Sequence, residues 1–173
     1  MQITFEPVTF VNMAQYITIG IQSYREHYLH LWEKQDPYPF IQAHLTKDVV
    51  KNAIQDPRQL LFLIMRDKEP TGILNLTFDA KKGLFLSQNN LLLNKLYLLK
   101  KFSNLGIGGQ TLKFVDAIAK KHAKDIVWLY TMHKGKPLEF YKKYGYRIIK
   151  EAQIELPHAL EREKAMWLMA REI

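Results

Sequence analysis

The glycine cluster Gly106-Ile107-Gly108-Gly109 stands between an apolar, strand-like segment ending near Leu99 and a segment of helical periodicity. A strand that hands over to a helix through glycines leaves unpaired backbone N–H groups at the helix start. Together with the positive end of the helix dipole, those groups suit a phosphate or pyrophosphate. A P-loop is excluded, because Gly109 is followed by Gln110-Thr111 rather than Lys-Ser/Thr. A dinucleotide fingerprint is disfavoured: G-x-G-x-x-G fails at Thr111, and Asp125 precedes the next apolar run, Ile126 to Met132, instead of ending it.

A second group is Phe140-Tyr141-Lys142-Lys143-Tyr144-Gly145-Tyr146. A phenol on a short helix can reach into a cleft and carry a proton, and the same rings can equally pack that helix on a sheet. A third is His27 and His30, which share a helical segment with Tyr24, Tyr28 and Trp32. They can line a substrate pocket, supply a base or serve structure alone. Their spacing is not that of a zinc helix, so no metal is expected. His122 falls at a helix end, and His133 follows a strand near the glycine cluster.

Charge points to the same part of the chain. Residues 95–150 carry thirteen Lys/Arg against Asp116, Asp125 and Glu139, while residues 1–94 balance nine against nine, within a total of +8. A field concentrated in this way favours an anionic ligand, although lysine-rich helix faces also produce it. A nucleic-acid module is the competing reading, but helix-turn-helix, zinc and RNP signatures are absent, so nucleic acid is disfavoured. The chain has no cysteine, which excludes disulfides, thiolate metal sites and cysteine nucleophiles. The longest apolar run, Leu60 to Met65, is too short to cross a bilayer. Met1-Gln2-Ile3-Thr4-Phe5 lacks the basic start of a signal peptide, so a cytoplasmic protein is expected.

The 173 residues fit one domain, residues 1–173. Ile3-Thr4-Phe5 predicts a first strand, and Met13, Ile17, Ile21, Tyr24, Tyr28 and Leu31 recur at helical spacing. Asp36-Pro37-Tyr38-Pro39 breaks that helix, a short helix follows at Phe40 to Leu45, and Thr46-Lys47-Asp48 caps another that ends before Asp56-Pro57. Leu60 to Arg66 and Gly72 to Phe78 form a hairpin around Asp67–Pro70, followed by a turn at 79–83 and an ambiguous stretch, Leu84 to Asn90. Leu91 to Leu99 predicts a long strand. Beyond the glycines, Leu112, Val115, Ile118 and Ala119 form the apolar stripe of a helix. A strand at Ile126 to Met132, a helix from Pro137 to Tyr144 stopped by Gly145, and strands at Tyr146 to Ile149 and Ala165 to Ala170 complete the chain. The fold class is α/β: a mixed, twisted sheet flanked by helices.

Taken together, the glycine loop and the tyrosine helix resemble the GCN5-related N-acetyltransferase (GNAT) family. Ser103-Asn104-Leu105-Gly106-Ile107-Gly108 is similar to that family's Arg/Gln-x-x-Gly-x-Gly/Ala, and Leu96-Tyr97-Leu98 to its Leu-Tyr-Val. Phe140-Tyr141-Lys142-Lys143-Tyr144-Gly145-Tyr146 is similar to its Phe-Tyr-x-Lys-x-Gly-Phe, with the lysine one place early. The chain is also similar, less specifically, to the bacterial polyamine-type subgroup.

The resemblance implies acetyl-CoA as donor and a small-molecule or protein amine as acceptor, and a homodimer is compatible with it. It implies pantetheine contacts from the backbone of Leu98 and Leu99 and pyrophosphate contacts from Ser103, Asn104, Leu105, Gly106, Ile107, Gly108 and Gly109. Lys100, Lys101 and Lys134 would meet remaining phosphate charge. An N–H near Leu98 would polarise the acetyl carbonyl, and Tyr141 would protonate the leaving thiolate. Tyr24, His27 and Tyr28 would line the acceptor site, and Glu26, Glu33 and Asp36 would contribute acid toward a polyamine. The sequence departs from the family at three places. Ser103 replaces Arg/Gln, Lys134 stands where many members have Asn, and Asn94 stands where a Glu base is frequent. Asn cannot take a proton, so a CoA-binding sensor without catalysis is a further alternative.

Overall fold

The computed structural model describes residues 2–81 and 89–173. Residues 82–83 of the predicted turn and 84–88 of the ambiguous stretch lie outside the described residues. The elements run β1 (Ile3–Pro7), α1 (Met13–Tyr28), α2 (Tyr38–His44), α3 (Lys47–Gln55), β2 (Gln59–Arg66), β3 (Glu69–Phe78) and β4 (Asn90–Leu98). They continue with α4 (Ile107–Lys121), β5 (Ile126–Met132), α5 (Lys136–Lys143), β6 (Arg147–Gln153) and β7 (Ala165–Glu172). The seven strands form one sheet in the order β1-β2-β3-β4-β5-β7-β6. All pairs are antiparallel except β4 with β5, so the expected mixed sheet with flanking helices is present.

Local chemistry explains most boundaries. Thr46 Oγ1 accepts from the Val49 N–H at 3.3 Å and opens α3 as a side-chain cap. Asp67 and Lys68 both have positive φ, 48° and 72°, so the β2–β3 hairpin turns on two residues and Pro70 lies inside β3. Gly145, at φ 84°, follows α5 as expected. β6 and β7 run longer than their apolar cores suggested, because each continues through polar residues paired along the other.

The face that α1 buries differs from the predicted stripe. Met13, Tyr16, Ile19, Gly20, Ser23 and Tyr24 are buried, while Ile17 and Ile21 flank them half-exposed. The reason is close approach: a Cβ on Gly20 would lie 2.9 Å from Ile73 and 3.0 Å from Leu45. Small residues let α1 sit low on the sheet, and larger apolar neighbours are turned aside. On the opposite side, Phe114 of α4 stacks on Phe5 at 4.0 Å and meets Phe62 edge-on at 5.1 Å.

Two irregularities in β4 set up the functional region. Asn75 faces Lys95 and Leu76 faces Leu93, leaving Asn94 as an extra, bulged residue. The bulge also shifts the alternation, so Leu92 and Lys95 line the same groove with Tyr16. The second irregularity is the parallel pairing of β4 with β5, which spans only Asn90–Leu92 against Ile126–Trp128. Past that point the two strands separate, and β4 is held on one side only.

That one side is tight. A Cβ on Gly72 would overlap the Tyr97 carbonyl oxygen. Gly72→Ala must therefore push β3 from β4 where β4 is unsupported by β5. We expect a loss of roughly 1–3 kcal/mol, the usual cost of overpacking, read as a lower urea midpoint.

Candidate active site

The gap between β4 and β5 exposes backbone groups. Leu99 N–H donates to Thr71 O at 2.8 Å, and antiparallel residues alternate between facing the partner strand and facing away. Tyr97 therefore points its backbone polar groups at β3, whereas Leu96 and Leu98 point theirs into the gap. This corrects one expectation: the Leu99 N–H is committed to β3, and its carbonyl accepts from Phe102 N–H at 2.9 Å. Leu98 is the residue turned toward the gap.

Helix α1 grips this end of β4. His27 Nε2 donates to Leu98 O at 3.0 Å, and Lys100 N–H donates to Glu26 Oε2 at 2.6 Å. Gln22 Nε2 holds the other Glu26 oxygen at 2.9 Å. Desolvation works to raise the Glu26 carboxyl, but the bonds from Lys100 and Gln22 outweigh it and hold the group below the usual carboxylate range.

Below the gap, a helical turn at Lys100–Phe102 leads to α4. Asn104 and Gly106 have positive φ, 63° and 79°, and Gly106 caps α4 without any side-chain acceptor. The first helical bond in this turn runs from Gln110 N–H to Gly106 O, so the amides of Ile107, Gly108 and Gly109 come before any intrahelical acceptor. A Cβ on Gly106 would meet nothing within 4 Å, so this turn borders open space. The other two glycines have a second purpose. A Cβ on Gly108 would lie 3.0 Å from Phe140, and one on Gly109 would collide with the Tyr144 hydroxyl. They bring α5 against the start of α4. Among the basic residues, Lys100 and Lys134 are exposed, and Lys101 is engaged with Glu69 at 2.6 Å.

The docked α5 carries Tyr141, which lies in the core cluster that Leu96, Tyr97 and Leu98 pack against. Tyr141 is buried, and burial followed by the neighbouring Tyr28 and Tyr146 phenols pushes its pKa well above the ordinary range. The Tyr97 phenol is raised by burial and then by Tyr24, Tyr28 and Tyr141, and Tyr97 packs against the core cluster that holds Tyr141. Tyr28 and Tyr97 meet edge-on at 5.7 Å. Tyr24, expected to face the acceptor, is instead a wall residue. It stacks on Phe40 at 3.7 Å, and its hydroxyl accepts from Trp32 Nε1 at 3.2 Å. Behind it, the 154–164 connection docks through a Trp32–Ala159 bridge and the Leu160 N–H to Leu31 O bond of 2.8 Å. Nothing in the sequence marks that contact.

Asn94 lies elsewhere. It is exposed at the bulge, donates to Thr77 Oγ1, and lines a groove of about 670 Å³ with Tyr16, Asn75 and Lys95 that includes neither Leu98 nor Tyr141. Asn94 and Tyr141, both expected in catalysis, are thus not brought together by this groove. His133 stacks on Trp167 at 3.9 Å and pairs its N–H with Ala165 O, a structural position. His30 is exposed. Among the described residues, no three His, Asp or Glu side chains are placed to hold a metal ion.

A family model for the acetyltransferase (GNAT) family matches residues 21–146. The chain belongs to this family. It is an acetyl-CoA-dependent N-acetyltransferase, and the unpaired amides at α4 beside the open Gly106 turn fit an anionic donor of that kind. The GNAT chain is 22% identical over 135 residues to an uncharacterised N-acetyltransferase of Lactobacillus delbrueckii subsp. lactis, covering 78% of each. Its fold is shared with PaiA N-acetyltransferase of Thermoplasma acidophilum, solved with coenzyme A, at TM-score 0.78 and 17% identity over 100% of both chains. An acetyltransferase of Thermus thermophilus matches at TM-score 0.71 and 19% identity, over 100% of this chain and 98% of that one.

One charge near the bulge affects stability. Lys95 is half-buried, and its ammonium donates only a 3.4 Å bond to Asn75 Oδ1. Desolvation pushes its pKa down to about 8 from 10.5. Between those two values the unfolded chain holds the extra proton, so stability rises with pH through this window. We expect the urea midpoint to rise from about pH 7.5 to about pH 10, the span that brackets the two values. Lys95→Met should flatten that rise and add about 1–2 kcal/mol at neutral pH, since one pKa unit corresponds to about 1.4 kcal/mol and partial exposure reduces the whole.

Proposed function

We propose that this GNAT acetyltransferase moves the acetyl group of acetyl-CoA directly to a primary amine of a small molecule or a protein, with Leu98 and Tyr141 at the reacting centre. The observation that carries the reading is the parting of β4 and β5 after Leu92 and Trp128, with Leu98 turned into the gap that opens there. The Leu98 N–H meets the acetyl carbonyl oxygen and stabilises the charge that develops there. The amides of Leu105 to Gly109 hold the pyrophosphate, and Lys100 and Lys134, on opposite sides of the gap, meet the outer phosphate charge. Ser103 and Asn104 shape the loop that leads into that turn.

Tyr141 donates its proton to the departing sulfur. Burial holds this phenol in its protonated form, so a proton is present beside the sulfur when the thiolate leaves. Tyr28 and His27, on the α1 side of the gap, border the incoming amine. Among the described residues no helix is long and apolar enough to cross a membrane, and we place the enzyme in the cytoplasm, where acetyl-CoA is available.

Two experiments test the reading. Calorimetry should find saturable binding of acetyl-CoA, and Gly106→Asp should weaken it at least roughly 10-fold by setting a carboxylate at the anion-binding helix start. A preserved affinity in that variant would move the pyrophosphate elsewhere. Tyr141→Phe should lower kcat roughly 100-fold in thiol-release assays over an amine panel, within the usual span of acid catalysis, while acetyl-CoA affinity stays within about 3-fold. An unchanged kcat would remove Tyr141 from the chemistry.

A further inference from the structure

An aliphatic amine has a pKa of about 10.4 and attacks only once deprotonated. Asn94 cannot take that proton and lies in a separate groove. The carboxylate at this end of β4, Glu26, is committed to Lys100 N–H and Gln22. Tyr28, Tyr97 and Tyr141 are all held protonated by burial, so none is a base. His27 remains, half-buried on the last turn of α1 and 3.0 Å from the carbonyl of the gap-facing Leu98.

The partner of His27 fixes its tautomer. Leu98 O can only accept, so Nε2 must carry the hydrogen. Neutral His27 then bears its lone pair on Nδ1, the nitrogen not committed to β4. We propose that His27 Nδ1 is the general base that deprotonates the acceptor amine in this enzyme.

The proposal rests on the placement of the acetyl group at Leu98 given above. In the balanced step, the ammonium first yields one proton to His27 Nδ1, which passes it to solvent; the freed lone pair then forms the C–N bond and the C–S bond breaks. The second proton leaving nitrogen passes to His27 Nδ1, and the sulfur takes one from Tyr141 Oη. Solvent then removes the His27 proton and restores that of Tyr141, leaving amide and free thiol. Of the charged and titratable groups about His27, Tyr28 on α1 meets its ring at 6.1 Å, Glu26 on α1 feels its charge and binds Lys100 N–H, and Tyr97 precedes the Leu98 whose carbonyl His27 bonds.

His27→Gln separates base from positioning residue, because a Gln amide nitrogen can still donate to Leu98 O and cannot accept a proton at working pH. With spermidine, benzylamine and a lysine-bearing peptide as acceptors, we expect His27→Gln and His27→Ala to lower kcat roughly 100-fold near neutral pH. Melting temperature and acetyl-CoA affinity should stay near wild type, and the deficit should shrink as pH approaches the amine pKa. Wild-type kcat in His27→Gln beside a loss in His27→Ala would overturn the base and leave a positioning role. Independently of turnover, long-range ¹H–¹⁵N NMR should show neutral His27 protonated on Nε2; protonation on Nδ1 would also overturn it. Failure of wild type to bind acetyl-CoA would instead refute the placement of the donor.

Discussion

The short contact between β4 and β5 is the constraint on which the site depends. Three residue pairs join the strands, and then Leu96 and Leu98 extend into a gap with their backbone groups turned away from β3. An unpaired backbone group in a buried setting costs about 1–3 kcal/mol, so such an edge persists only where something else meets it. His27 meets part of it at Leu98 O. The donor, in the reading favoured here, meets the rest by lying along β4 as an added strand. The sheet thus keeps an interior edge open, and the neighbouring elements hold it in place: Gly72 brings β3 against the Tyr97 carbonyl, and the Glu26–Lys100 bond fixes the chain where it turns toward α4.

The glycines illustrate how one loop serves both fold and ligand. Gly106 provides positive φ and open space, which is what an anion at a helix start requires. Gly108 and Gly109 remove side chains that would strike Phe140 and Tyr144. Without that close approach α5 could not seat Tyr141 beside Tyr28 and Tyr97. In the proposed reading, the phosphate end and the proton-donating end of the gap are therefore coupled through the packing of two aromatic rings on two glycines.

Much of this is legible in the sequence, and the departures have identifiable causes. Ile126–Met132, the Thr46 cap and the Gly145 stop are readable because each depends on local propensity or a single capping bond. The glycine loop and Tyr141 are readable as motifs. The bulge at Asn94 is not, because a bulge is a property of two strands and the pattern of one strand does not contain it. Asn94 consequently reads as a catalytic candidate although the groove it lines is a different one. Leu99 is misplaced for a related reason: the direction of a backbone N–H follows from register, which side-chain patterning does not specify. The buried face of α1 is displaced because Gly20 and Ser23 carry no hydrophobic signal, and their value lies in being small.

Charge is the least specific signal, and the structure shows how it divides. Lys120 and Lys121 occupy the last turn of α4, where cations complement the negative end of the helix dipole. Lys101, Lys124 and Lys142 are paired with Glu69, Asp79 and Glu139, and Arg171 is paired with Asp116. Three of the thirteen basic residues of 95–150 are thus paired, and two more complement a helix end. Lys100 and Lys134 differ in place: one follows β4 and the other follows β5, so they flank the gap from the two strands that part there. An anionic donor is therefore favoured by a few cations at the opening and by the helix start below them. The total charge of +8 does not by itself select such a ligand.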